Sequence, residues 1–282
     1  MGKREALQAL GPRLRLPTLP RVVVRINAML TDRECGPREI GRVLGEDPGL
    51  TARVLSIANS SAYGLQDKVV STEQAATVIG ERALRNVVLQ ASIAQRYEHL
   101  CERAALDLEA IWEHAMETAQ LSQMLGSACR RETGLAADEF HTCGLLHDLG
   151  KVVLLDSLGD DYAQVLARAR EERRALHQIE AEELGFSHVE VGALLSRRWG
   201  LPREVALAIA FHHGPLERIL ESPSVAAVAV ADQLSYRARG EGFDQATEQL
   251  ARVALRALDV TPQAFGRVVE ASLGWVDEGR TA

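Results

Sequence analysis

The chain has 282 residues, of which 46% are hydrophobic and 4% aromatic, and a formal net charge of −7 at pH 7. This length can bury the core of one large domain or of two ordinary ones, and the abundance of Leu, Ala, Glu and Arg favours helix. The negative charge without a basic block argues against nucleic-acid binding, and no apolar run reaches the roughly 18 residues of a membrane span.

The N-terminal residues lack the apolar segment of a secretory signal, and the four cysteines show no C-x-x-C spacing. Scattered cysteines of this kind are typical of reduced thiols rather than of a disulfide framework or a zinc knuckle. We therefore expect a cytoplasmic protein without nucleic-acid or membrane partners.

The first hundred residues predict a small helical lobe. Apolar patterns indicate helices over Val22–Leu30 and Arg38–Leu44. Asp47 followed by Pro48 is a strong helix start, since aspartate caps the N-terminus and proline suits the first helical position. Ser71 and Gln74 resemble a capping box, Gly80 is a helix stop, and residues 81–99 predict a longer helix.

The remaining residues also predict helices. One runs from Leu106 to about Cys129, the next carries His147 and Asp148, and the charged stretch 156–183 predicts surface helices or a long insertion. Ser187 and Glu190 form a second capping box, which begins a helix with His188 in its first turn. Further helices reach His212-His213, cover Val225–Tyr236 and pair near the C-terminus. We see no alternating pattern typical of strands, so the predicted fold is all-α.

The stretch Gly144–Lys151 places a histidine and an aspartate side by side between apolar runs. Such a position predicts burial, and a buried carboxylate must be paired, hydrogen-bonded or bound to a metal. The sequence supplies several partners on other apolar helical faces, so the candidate set is His114, His147, Asp148, His188, His212 and Asp232, with His213 beside them.

Any one of these histidines alone would most simply be a satisfied core residue, but several on separate helices each need a buried partner. If they converge, imidazole and carboxylate ligands make a site for one or two divalent ions, with Fe, Mn, Zn or Ni preferred over thiolate-seeking metals. Two ions bridged by Asp148 could lower the pKa of a water and direct it at a phosphodiester.

The order His114, His147-Asp148, Asp232 resembles the HD metal-dependent phosphohydrolase superfamily, and His188 with His212-His213 resembles the second-metal ligands of its HD-GYP phosphodiesterase branch. The closer resemblance is to HDOD, the HD-related output domain of bacterial signalling proteins. The motifs that carry it are Leu16-Pro17-x-Leu19-Pro20, Asp47-Pro48-x-Leu50-Thr51, Asn59-Ser60-x-x-Tyr63-Gly64, Gly144 to Gly150, and Trp199-x-Leu201-Pro202 up to His212-His213.

The resemblance implies a two-lobe helical architecture and a regulatory output or adaptor role. It places an N-terminal helical lobe at residues 1–102 and an HD-like helical bundle with the metal site at 103–282. The HDOD module then spans about residues 13–240, with a helical extension over 241–282.

The sequence departs from the HD-GYP pattern in two places. The charged stretch after Lys151 contains no Gly-Tyr-Pro, and Ala110 stands one turn before His114, where a carboxylate could have served a further metal. Both departures weigh against hydrolysis of cyclic dinucleotides.

Three hypotheses follow for function. The first is a signalling adaptor that binds a protein partner or a nucleotide ligand. The second is a metal-dependent phosphodiesterase with Asp148 and Lys151 as catalytic residues, where Lys151 meets a substrate phosphate. The third is a catalytically idle metal that braces the helices. For Lys151 the alternative is a surface lysine near a helix C-terminus.

Overall fold

The computed structural model describes Leu14, Leu16 and residues 21–29, 35–59, 68–80, 84, 87–89, 91–92, 108–238 and 245–279. Within these ranges the backbone forms helices and turns and contains no strand, so the all-α prediction is confirmed. None of the described helices is both long enough and apolar enough to cross a membrane.

The chain divides into two compact units, one formed by Thr18–Arg103 and the other by Ala104–Ala282 with Met1–Pro17. The described helices of the first unit are α1 (Arg21–Met29), α2 (Pro37–Leu44), α3 (Pro48–Ala58) and α4 (Thr72–Ile79). Their apolar faces meet around buried side chains that include Ile26, Ile40, Leu50 and Val54.

The helix ends in this unit follow the local sequence signals. The Asp47 carboxylate accepts the backbone N–H of Leu50 at 3.0 Å, and the Ser71 hydroxyl accepts that of Gln74 at 3.0 Å, as capping residues do. Gly80 ends α4 with a φ of 82°, a value that glycine adopts readily. Of the helix predicted over 81–99, residues 84, 87–89, 91 and 92 are helical and the rest lie outside the described residues.

After α3, the Asn59 amide group exchanges two hydrogen bonds of 2.8 Å with the backbone of Val69. This contact joins the end of α3 to the segment that precedes α4. The other residues of the predicted Asn59–Gly64 motif lie outside the described ranges.

The described helices of the second unit begin with α5 (Leu108–Ala128), α6 (Ala137–Leu146), α7 (Leu149–Leu158), α8 (Asp160–Glu172) and α9 (Leu176–Glu183). They continue with α10 (His188–Trp199), α11 (Arg203–Phe211), α12 (Leu216–Glu221), α13 (Pro223–Ala238), α14 (Gln245–Ala257) and α15 (Pro262–Gly279). Helices α5, α6 and α13 pack on one another, and α14 and α15 extend their core, which includes Leu121, Phe140 and Val230.

The prediction that one helix carries His147 and Asp148 is wrong. Both residues lie in a turn between α6, which ends at Leu146, and α7, which begins at Leu149. The Asp148 carbonyl accepts the N–H of Lys151 at 2.9 Å, so Asp148 takes the N-cap position of α7. The helix is thus interrupted at this pair, and both side chains are buried.

Two glycines allow the helices around this turn to approach closely. A Cβ at Gly144 would lie 2.6 Å from the Thr118 carbonyl oxygen of α5. A Cβ at Gly150 would overlap the His188 carbonyl of α10. Glycine is therefore required where α6 meets α5 and where α7 meets α10.

We predict that Gly144→Ala destabilises the second unit by about 1–3 kcal/mol, because the added methyl group meets backbone that cannot move aside freely. The measurement is the urea unfolding midpoint. The matched control is Gly266→Ala on α15, where a Cβ meets nothing within 4 Å, so better helix propensity should leave stability equal or slightly higher. Equal midpoints for the two variants would contradict the close approach.

Candidate metal centre

The second unit brings the seven predicted ligand residues together from five places in the chain. His114 comes from α5, His147 and Asp148 from the turn, His188 from the start of α10, and His212-His213 follow α11; Asp232 lies on α13. Six of these residues are at most 3% exposed, and His213 is half-buried. Their role as metal ligands stays a prediction.

The first group of ligand atoms surrounds Asp148 and Asp232. His147 Nε2 lies 3.2 Å from Asp148 Oδ2 and 3.4 Å from Asp232 Oδ1. His114 Nε2 lies 3.5 Å and 3.0 Å from the same two oxygens. One ligand atom from each of these four residues fits within 4.8 Å of all the others, which is a spacing that one ion can bridge.

The second group faces the other oxygen of Asp148. His188 Nε2 lies 3.3 Å and His212 Nε2 lies 3.7 Å from Asp148 Oδ1. His213 completes this group of ligand atoms and also lies 3.9 Å from Asp232 Oδ2 through Nδ1. Asp148 therefore contacts both groups, one through each carboxylate oxygen.

Hydrogen bonds on the far side of the rings fix how three histidines face the carboxylates. His147 Nδ1 donates to the Gly144 carbonyl at 2.6 Å, and His212 Nδ1 donates to the Ala208 carbonyl at 2.9 Å. His188 Nδ1 donates to Glu180 Oε2 at 2.6 Å. With Nδ1 protonated, a neutral imidazole carries an unprotonated Nε2, which is the form that binds metal.

The His114 ring also carries its proton on Nδ1, and a serine accepts the hydrogen bond from it. Ser235 Oγ donates to Glu117 Oε2 at 2.5 Å and therefore accepts at 3.0 Å from His114 Nδ1. The Glu117 carboxylate thus fixes the orientation of the His114 ring indirectly, through the Ser235 hydroxyl.

The inward-facing atoms lack hydrogen bonds that would satisfy them. Among the residues that the structure describes, no hydrogen-bond partner reaches Asp148 Oδ1 or the Nε2 atoms of His147, His188 and His212. The unprotonated Nε2 atoms of neutral His188 and His212 would face Asp148 Oδ1 at 3.3 Å and 3.7 Å, which is repulsive unless a cation lies between them. The donor set, its spacing and these unsatisfied atoms fit divalent metal ions bound by nitrogen and oxygen.

Lys151 supplies one positive charge beside the centre. Its side chain is buried, its ammonium donates to Asp148 Oδ2, and it donates to the Tyr236 hydroxyl at 3.0 Å. The ring of Tyr236 in turn lies against His114, with centroids 4.2 Å apart. The alternative of a surface lysine is therefore wrong, since Lys151 lies in the first turn of α7 and points inward.

The pKa values show how the chain balances these charges. Burial raises the pKa of a carboxyl, but the charges of His147 and Lys151 hold the pKa of Asp148 well below its usual range. Burial, together with the charge of His147, lowers the pKa of His212 to about 3. Burial also opposes protonation of His147, yet the Asp148 carboxylate outweighs it and raises the pKa of His147 to about 9. Without metal, His147 and Lys151 therefore carry the compensating positive charge.

The structure adds residues that the sequence prediction missed. Glu180 and Tyr162 are completely buried in the charged stretch that was expected to form surface helices or an insertion. Glu117, Ser235 and Tyr236 lie one turn or less along α5 and α13 from His114 and Asp232. The helical spacing to a predicted ligand could have identified these last three, whereas Glu180 gave no such signal.

These features define an all-α protein with a buried histidine–carboxylate cluster that could hold a metal ion. A sequence model of the HDOD domain matches residues 16–215. The chain therefore belongs to the HDOD domain family.

Two solved structures resemble the whole chain. An HDOD domain protein of unknown function from Geobacter sulfurreducens superposes with a TM-score of 0.70, at 25% identity and 96% coverage of both chains. A protein of Shewanella amazonensis SB2B, described as a candidate phosphohydrolase, gives a TM-score of 0.69 at 25% identity, with 95% of this chain and 93% of that chain covered.

Sequence relatives cover less of their own length. An uncharacterized protein of Treponema pallidum (strain Nichols) is 25% identical over 198 residues, which are 70% of this chain and 37% of that protein. Ribonuclease Y of Thermus thermophilus is 32% identical over 151 residues, which are 51% of this chain and 21% of the enzyme. The chain thus matches about a fifth to two fifths of these curated relatives.

We predict that Lys151→Met destabilises the metal-free protein by about 3–5 kcal/mol, because it leaves the buried Asp148 carboxylate with less compensating charge. The measurement is urea unfolding after chelation, and Lys68→Met, at an exposed lysine, should change stability by less than about 0.5 kcal/mol. Zn²⁺ should reduce the Lys151→Met effect, because the ion supplies the missing charge. A Lys151→Met variant as stable as the Lys68→Met control would contradict this role.

Proposed function

We propose that this chain is a regulatory HDOD module whose second unit holds one or two divalent metal ions and acts as a signalling adaptor. Membership of the HDOD family supports the regulatory role. The burial of the histidine–carboxylate cluster supports the adaptor over an enzyme, because six of its seven side chains are at most 3% exposed. The ligand that such a module recognises is a signalling protein or a nucleotide.

The residues divide into two candidate ligand sets. We assign one ion to His114, His147, Asp148 and Asp232, and a second to His188, His212 and His213 with Asp148 shared between them. Imidazole and carboxylate donors favour Fe, Mn, Zn or Ni. The ions would join helices α5, α10 and α13 with the α6–α7 turn, so metal binding would contribute to folding stability.

The second candidate function is a metal-dependent phosphodiesterase or phosphohydrolase. A complete donor set and a buried ammonium beside it support this alternative, as does 32% identity to part of a ribonuclease. A divalent ion would supply Lewis acidity at such a centre. Lys151 would then bind a substrate phosphate, and Tyr236 would orient the ammonium.

Metal content provides the first test. We expect protein purified without added metal to contain stoichiometric transition metal by elemental analysis, and Asp148→Ala to lose it, because Asp148 contacts both ligand groups. Chelation should lower the melting temperature of the wild-type protein. Metal-free protein that melts at the same temperature with and without added ions would contradict metal binding. That result would exclude both the metal-binding adaptor and the metal-dependent phosphodiesterase.

Turnover provides the second test. Metal-loaded protein should show no hydrolysis of cyclic dinucleotides, nucleotides, a single-stranded RNA or a generic phosphodiester, because six of the seven side chains of the cluster are at most 3% exposed. Hydrolysis that disappears in both Asp148→Ala and Lys151→Met would instead establish the phosphodiesterase. Hydrolysis that persists in Asp148→Ala would indicate a contaminating enzyme and leave the adaptor as the explanation of the bound metal.

A further inference from the structure

Glu180 is a buried carboxylate within a highly charged helix. It is 0% exposed, whereas Glu182 and Glu183 of the same helix α9 are exposed and pair with surface arginines. Burying a carboxylate without partners is costly, so the contacts of Glu180 must compensate for lost hydration. Those contacts lead directly to the proposed metal centre.

Three hydrogen bonds fix the Glu180 carboxylate. Oε2 accepts from the backbone N–H of His188 at 2.9 Å and from His188 Nδ1 at 2.6 Å. Oε1 accepts from the hydroxyl of Tyr162 at 2.5 Å. The carboxylate therefore satisfies an N-terminal N–H of α10 and orients the ring of the first residue of that helix.

The orientation of His188 depends on this contact. With Nδ1–H donated to Glu180, the neutral imidazole presents an unprotonated Nε2, and this atom lies 3.3 Å from Asp148 Oδ1. His147 and His212 use backbone carbonyls for the same purpose. A carboxylate is a stronger acceptor than a carbonyl, so it holds the ring and its tautomer more firmly.

Helices α8 and α9 carry no proposed metal ligand, but their side chains hold one of the ligands in place. Tyr162 of α8 holds Glu180 of α9, and Glu180 holds His188 of α10. The chain of contacts passes through completely buried side chains. Glu180 thus acts on the His188 side of the centre, whereas His114 is held through Ser235 and Glu117.

From this geometry we infer that Glu180 is a positioning residue that fixes His188 in its metal-binding form and so determines occupancy of the second ion site. The inference rests on the proposed metal centre. Tyr162 acts behind Glu180 by fixing the plane of its carboxylate. The ion assigned to His114, His147, Asp148 and Asp232 does not depend on Glu180.

The test uses the full chain, stripped of metal and titrated with Zn²⁺. Glu180→Gln should weaken binding of the second Zn²⁺ by about 10–100-fold and leave the first unchanged. Tyr162→Phe should weaken it less, because the carboxylate remains. Glu182→Gln is the matched control on the exposed side of α9 and should bind both ions as the wild-type protein does.

Nitrogen-15 NMR of the imidazoles in metal-free protein supplies a readout that a merely structural role would not change. We expect His188 to carry its proton on Nδ1 in the wild-type protein and to show a mixture of tautomers in Glu180→Gln. Either an unchanged tautomer or undiminished second-site affinity in Glu180→Gln would overturn the inference. If Glu180→Gln does not fold by circular dichroism, the Tyr162→Phe titration and tautomer decide in its place.

The two proposals fail in different ways. If wild-type protein binds no Zn²⁺, the metal centre is wrong, while the His188 tautomer still shows whether Glu180 orients the ring. If wild-type protein binds two ions and Glu180→Gln binds both equally well, only the positioning role is wrong.

Discussion

The structure of the second unit depends on the compensation of two buried carboxylates, Asp148 and Asp232. Their side chains are almost fully removed from water, yet the pKa of each is held well below its usual range, so both are charged in the fold. A buried charge without a counter-charge would cost several kcal/mol. Lys151 and a proton on His147 provide that counter-charge in the metal-free chain, and a divalent ion between the same atoms would replace the proton. A proton on His147 and a divalent ion are thus alternative ways to compensate these carboxylates, in addition to the Lys151 ammonium.

The backbone keeps this arrangement in place before any ion binds. Gly144 lets α6 approach α5, and Gly150 lets α7 approach α10, so the turn with His147 and Asp148 has little freedom to move. Outward hydrogen bonds then fix the rings of His114, His147, His188 and His212. The cost of orienting the donors is met during folding, and binding an ion requires little further ordering.

Much of this could be predicted from the sequence, because polar residues on apolar helical stripes stand out. Asp47 and Ser71 marked helix starts correctly, and the histidines and aspartates that the spacing singled out do converge. The helix assigned to His147-Asp148 was wrong because apolar flanks on both sides hide a two-residue turn. Glu180 was missed because it is one of several acidic residues in its stretch, and only the packing of α8 on α9 distinguishes it from Glu182. The composition of a helix does not show which of its acidic residues lies on the buried face.

A catalytic centre and a structural one can share the same donors, so composition does not separate a phosphodiesterase from an adaptor. Access does. A substrate phosphate would have to reach the Lys151 ammonium, which already donates to Asp148 and Tyr236 inside the protein. His213, stacked on His177 at 4.3 Å, is the most exposed member of the cluster and marks the side nearest solvent. Because Lys151 is 3% exposed, a substrate could reach it only if the surrounding structure opened. An ion that only braces the helices needs no such opening, and this difference is the basis of the proposed adaptor role.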